Sequence, residues 1–214
     1  YDASDDTFRM TSQHAVFIWP HQKSCSNLIF LTLVFGWVGL DLAYRIVQPL
    51  MLNQGLSLGM VGIVTIIVGI ILLLIFSTKQ FLFKKEREKI LPGQKILETW
   101  LPFGAVALLF VASITDLPAI SIIGFVGLQI SYYIFNIFAT HIIILHGRIS
   151  NSAASAVFLS GTSYFVAHVI VVPILAVTAC GTKGPLKTCA VASVCVIISV
   201  LIRCFASRRW SVAF

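Results

Sequence analysis

Hydrophobic and polar positions alternate along this chain in blocks rather than residue by residue. Nearly uninterrupted apolar stretches cover 28–52, 59–76, 97–114, 118–145, 153–179 and 187–205, and polar residues collect between them. A helix crossing the ~30 Å hydrocarbon core of a bilayer needs ~20 such residues, the order of length of each stretch. A membrane barrel would instead show segments of about ten residues alternating in polarity, and these stretches do not alternate. The pattern predicts an all-α fold, a polytopic membrane protein of six transmembrane helices. A polar tail occupies 1–27, the six-helix bundle 28–205, and a basic tail 206–214. Pro102, Pro118 and Pro173 fall inside or at the starts of spans and are expected kinks, tolerated where neighbours satisfy the freed carbonyls.

Composition strengthens this picture. Of 214 residues, 58% are hydrophobic and 11% charged, with a mean hydropathy of +0.96, against roughly 45–50% and 25% in soluble domains. A water-soluble protein is excluded, and the length leaves no room for a sizeable separate catalytic domain. The formal charge of +7 would suggest nucleic acid in a soluble protein. Here its placement points elsewhere: twelve of the fifteen basic residues lie in the N-terminal tail, the 77–96 loop, the 146–152 turn and the C-terminal end. By the positive-inside rule that side is cytoplasmic, so both termini face inward. The KKEREK run at 84–89 then reads as a solvated face or an anionic-lipid contact, and no nucleic-acid partner is expected. Residues 1–27 show no secretory signal, and an opening Tyr1 reads as a processed chain or a fragment. Cys25, Cys180, Cys189, Cys195 and Cys204 form no C-x-x-C pair; buried inert thiols are expected, without metal or cofactor.

Loop lengths add an order. Spans one to three are joined by a short outer and then a long inner connection, spans four to six by a short inner and then a longer outer one. An inverted three-plus-three repeat has this form.

Candidate chemistry resides in the polar groups placed inside the membrane, where ionisable side chains are costly unless paired or wet. Asp41 and Arg45 lie four apart in the first span, on one helical face. They form either a proton or substrate-carboxylate site, in which a ligand competes for Arg45, or a structural ion pair. In the fourth span Gln129, Tyr132 or Tyr133, Asn136 and Thr140 recur at helical spacing. That stripe is a cavity wall or interhelical polar glue. His168, in the fifth span among Ser160, Thr162, Ser163 and Tyr164, is of the one residue type that ordinarily titrates near neutrality: a proton carrier if wet, a packing residue if not. Motifs of hydrolases, zinc proteases and P-loop proteins are absent, so no enzyme activity is expected. Gly36, Gly39, Gly55, Gly59, Gly62, Gly69, Gly124 and Gly127 are expected to allow close or sliding helix contacts.

The stretch LDLAYRIVQPLMLNQGLSLGMVGIVTIIVGIILLL, from Leu40 through Leu74, resembles the seventh and eighth helices of major facilitator superfamily transporters, and within them the muropeptide permease (AmpG-like) branch. The acidic position of that family falls on Asp41, the apolar run on Pro49 to Leu52, and the glycine-serine entry to the next helix on Gly55, Ser57 and Gly62. HGRISNSAASAVFLSGTSYF, from His146, is similar to the family's inner turn and following helix. The 77–96 loop lacks the family's G-x-x-x-D-R-type signature. The resemblance implies the C-terminal half of a twelve-helix carrier, with a second six-helix half as partner. It also implies proton-coupled import of a small solute, a muropeptide in the closest branch, across the bacterial inner membrane.

Overall fold

The computed structural model describes residues 19–82, 92–149, 152–181 and 183–210. Six helices follow one another: α1 (Trp19–Asn53), α2 (Leu58–Leu82), α3 (Pro92–Thr115), α4 (Pro118–Ile149), α5 (Ala153–Thr178) and α6 (Gly184–Trp210). Among the described residues there is no strand. A bilayer dictates this outcome, because a helix satisfies its backbone within its own segment.

Four helices carry stretches long and apolar enough to cross a membrane: Ser26–Asn53, Pro118–Ile144, Val157–Thr178 and Gly184–Phe205. The apolar parts of α2 and α3, Leu58–Leu74 and Trp100–Thr115, are shorter, about 25 Å at ~1.5 Å per residue. The chain is therefore an all-α membrane protein with four helices of full spanning length, two fewer than the six spans expected. Helix α1 starts at Trp19, well before the first apolar stretch at 28. Hydropathy marks where a helix meets hydrocarbon, whereas its hydrogen bonds continue through polar residues beyond.

Local chemistry sets the turns. Gly55 takes a left-handed φ of 85° after α1, with Leu56 N–H donating to the Met51 carbonyl at 3.1 Å, a glycine cap. The Ser57 hydroxyl then accepts from Met60 N–H at 3.2 Å and opens α2. Ser152 caps α5 in the same way, accepting from Ser155 N–H at 3.1 Å. Pro118 occupies the first position of α4, where no N–H is needed, while Pro49, Pro102 and Pro173 lie inside helices.

Helix α1 is the axis of the bundle. Leu33, Leu42, Ala43, Val47 and Met51 are fully buried, on several sides of that helix. It packs most extensively on α6, also along α5 and α4, and the other extensive seam joins α3 to α4. Glycines allow both seams. A Cβ on Gly39 would lie 2.9 Å from the Ala192 carbonyl of α6, and one on Gly124 2.9 Å from Leu109 of α3. The expectation of close approach thus holds for Gly36, Gly39, Gly124 and Gly127, but Gly59, Gly62 and Gly69 face open space. Helix α2 touches α1 and α4 lightly, and nine of its large apolar side chains, from Leu58 to Leu74, are exposed. At the turn after α1, Gln54 ties three helices together, donating to the Ala112 carbonyl at 2.9 Å and accepting from the Ser121 hydroxyl at 2.6 Å.

Two expectations need correction. Cys189 and Cys195 are buried as anticipated, but Cys180 and Cys204 are exposed; these four are free thiols. Arg203, counted as an inner-surface charge, is buried, with its guanidinium 3.8 Å from the centre of the Phe138 ring. An aromatic face accommodates a cation that would otherwise be driven to water. The basic run at 84–89 lies outside the described residues.

Candidate functional site

Asp41 stands near the middle of α1 and is buried. Arg45, one turn further on, donates from Nε to Asp41 Oδ2 at 3.0 Å. The pair is lopsided: the Arg45 side chain is 44% exposed and the Asp41 side chain 10%. Helix α5 supplies a third group. His168 Nδ1 lies 3.4 Å from the same oxygen, Oδ2. The Nδ1 atom itself is buried and has no hydrogen-bond partner, although the imidazole as a whole is half-buried. Two nitrogen groups from different helices thus converge on one carboxylate oxygen.

Placement of His168 follows from the α5 stripe of Ser163, Ala167 and Val171, all buried. Their spacing of four turns one edge of α5 onto α1, and His168 comes next to it. Small residues on that edge bring the backbones close enough for an imidazole to reach Asp41. Pro173 in α5 and Pro49 in α1 follow His168 and Arg45 by about one turn. Having no N–H, they cannot donate to the carbonyls of Val169 and Arg45, four residues back.

Aromatic rings wall the group. Trp37 meets Tyr132, Phe135 and Tyr164 edge-on, at centroid distances of 5.2, 5.0 and 5.5 Å. Tyr44 lies 6.3 Å from Tyr132, and Tyr164 4.3 Å from the His168 ring. Such pairs hold one another at fixed angles, each contributing about 0.5–1.5 kcal/mol beyond burial. The sequence left Tyr132 and Tyr133 as alternatives. Tyr132 joins the cluster. Trp37 and Tyr44 carried no sequence signal, because an aromatic residue in an apolar span is indistinguishable from packing until its neighbours are known.

The remaining α4 residues lie along the rim. Gln129 is half-buried, and Asn136 and Thr140 are exposed. Asn136 Nδ2 donates to the Tyr132 carbonyl at 3.0 Å, and the Thr140 hydroxyl to the Asn136 carbonyl at 2.8 Å. Both satisfy part of their polarity within α4. Arg45 and Tyr164 are likewise exposed and His168 half-buried, so α1, α4 and α5 each place polar groups on a predominantly apolar exterior. Among the described residues no group of three His, Cys, Asp or Glu side chains is arranged to hold a metal ion.

The fold and site define a helical membrane protein with a charged, aromatic-walled cluster opening on one side. Comparison with protein-family models, curated proteins and solved structures gives no match for this chain.

Proposed function

We propose that the chain is a secondary active transporter, or the C-terminal half of one, of the major facilitator type that its Leu40–Leu74 stretch resembles. It moves a small solute, a cell-wall muropeptide in the closest branch, across a bacterial inner membrane with protons, both termini being cytoplasmic. The observation that carries this reading is the charged cluster of Asp41, Arg45 and His168 at the bundle axis, opening on an uncovered polar face. Lipid cannot solvate such a face, so water, solute and a facing bundle are its fitting neighbours. Six crossings are reached if α2 and α3 span with the polar turns that extend their apolar parts.

The packing also supports an inverted repeat. Exchanging α1 with α4, α2 with α5 and α3 with α6 turns the α1–α6 seam into the α4–α3 seam, the two most extensive in the molecule. Each of these two seams also holds a glycine at a close approach, Gly39 and Gly124. The smaller contacts depart from the exchange: α5 packs on α1 and α4 far more fully than α2 does, and the α1–α3 and α5–α6 contacts lack counterparts of similar extent among the described residues. Alternating access is rocking of this bundle against the second half, with Pro49 and Pro173 as points where α1 and α5 bend.

Proton-gradient-driven uptake of muropeptides into vesicles holding the full assembly tests the assignment. Asp41→Asn and Arg45→Ala should each lower uptake by about tenfold to a hundredfold, the worth of one charge-assisted hydrogen bond. Uptake at the wild-type level in both variants removes the site, and a wild-type protein without uptake favours a stand-alone structural or assembly role.

A further inference from the structure

Resting on the reading of this face as the solute site, we propose that Arg45 is the binding group for a carboxylate-bearing solute and that His168 releases it. A proton taken up at His168 Nδ1 turns the ring into a second donor to Asp41 Oδ2, and the guanidinium is freed for the carboxylate.

Geometry carries the proposal. Asp41 Oδ2 is addressed by Arg45 Nε at 3.0 Å and by His168 Nδ1 at 3.4 Å. The first contact is a formed hydrogen bond and the second is not, although the His168 atom is buried with nothing else to bond. A proton placed there gains a carboxylate partner after a small ring rotation. Of the two cations, Arg45 can leave: its side chain is the more exposed of the pair and lies on the open face, while Asp41 is held in the interior. A guanidinium presents a planar fork matching both oxygens of a carboxylate.

Charge balance gives the coupling. With His168 neutral, Asp41 and Arg45 sum to zero, and binding a carboxylate would leave one uncompensated negative charge. With His168 protonated the three sum to +1, costly in a poorly hydrated site. A proton and a carboxylate arriving together restore zero. The groups shown against His168 are Asp41 from α1 and Tyr164 on its own helix; Arg45 reaches it through the shared Asp41 oxygen, and Tyr132 of α4 and Tyr44 of α1 stand in the surrounding ring cluster. Each ligand therefore strengthens binding of the other by the same factor, and movement of the two together is electroneutral.

Equilibrium dialysis of the full chain in lipid nanodiscs tests this with labelled acetate, N-acetylmuramate and N-acetylmuramyl-L-alanine. Uncharged N-acetylglucosamine and cationic choline serve as contrasts. A carboxylate should bind with affinity rising by up to about tenfold per unit of falling pH, the slope of one linked proton, and with uptake of close to one proton per anion. His168→Gln should flatten that slope while binding persists, and Arg45→Gln should abolish binding. The wild-type slope needs no variant, so a misfolded mutant does not blunt the test. Failure of all three carboxylates to bind, equal binding of choline or N-acetylglucosamine, or an unchanged slope in His168→Gln overturns the proposal. Linked binding without vesicle uptake would leave this site standing and remove transport.

Discussion

Helix α4 presents two sides that differ in every chemical respect. Toward α3 it borders an open groove of about 870 Å³ lined by Trp100, Leu108, Val111, Ile123, Val126 and Ile130 among other apolar residues. Toward α1 it offers Tyr132 beside the Asp41 cluster, with Gln129 half-buried and Asn136 and Thr140 exposed on the same helix. Both sides are partly uncovered, yet only one needs a partner. Exposed apolar surface is stable against hydrocarbon, whereas amides and charges require water, a ligand or another polar surface. Exposure in this protein therefore carries information only when read with polarity.

The largest effect should come from moving a charge between these sides. Ile130→Lys, on the groove, is expected to destabilise the bundle by about 3 kcal/mol, as for lysine at mid-helix in lipid. Gln129→Lys, one residue away and so at nearly the same depth, but half-buried and polar, should cost well under half of that. Thermal unfolding of the purified variants in nanodiscs checks both, and equal losses would erase the distinction between the two sides.

A smaller effect should separate the seams from the groove. Gly39→Ala forces a methyl against the Ala192 carbonyl and Val196 of α6, an overpacking of about 1–3 kcal/mol. Gly104→Ala, in the groove with nothing within 4 Å, should instead be neutral or stabilising by up to about 1 kcal/mol through helix propensity. Unfolding midpoints in the same nanodiscs give the comparison, and an unstable Gly104→Ala would mean that the groove is closed.

The smallest effect concerns the C-terminal end of α4. His146 is buried beyond the spanning stretch, its Nε2 3.2 Å from the Ser155 hydroxyl of α5. Burial holds its imidazole below histidine's ordinary value of 6.5. The folded state thus takes up its proton less readily than the unfolded chain, so this contribution is complete above that ordinary value. It is lost as pH falls through the lowered one. Unfolding midpoints measured across that range should decline on acidification, and His146→Gln should reduce the decline.

Much of the local architecture was legible in advance. The apolar blocks located all six helices, and the four-residue spacing of Asp41 and Arg45 already placed them within reach, because both facts depend only on helix geometry and hydropathy. Gly55 and Ser57, singled out by their family resemblance, have a local role as helix caps. What hydropathy left open was burial. Arg203 counted with Arg208 and Arg209 as a charge of the C-terminal end, but the Phe138 ring gives it a buried position.

The sequence alone determined a helical membrane protein, the helix positions and the ion pair within α1, since backbone satisfaction in lipid and i,i+4 proximity are properties of single segments. Only the tertiary structure decided that His168 meets Asp41, that Tyr132 joins the aromatic wall, and which side of α4 borders the apolar groove. Helices as apolar all round as α5 and α6 carry no stripe to mark their inward face, so their rotation is set by small-residue seams with neighbours distant in the chain.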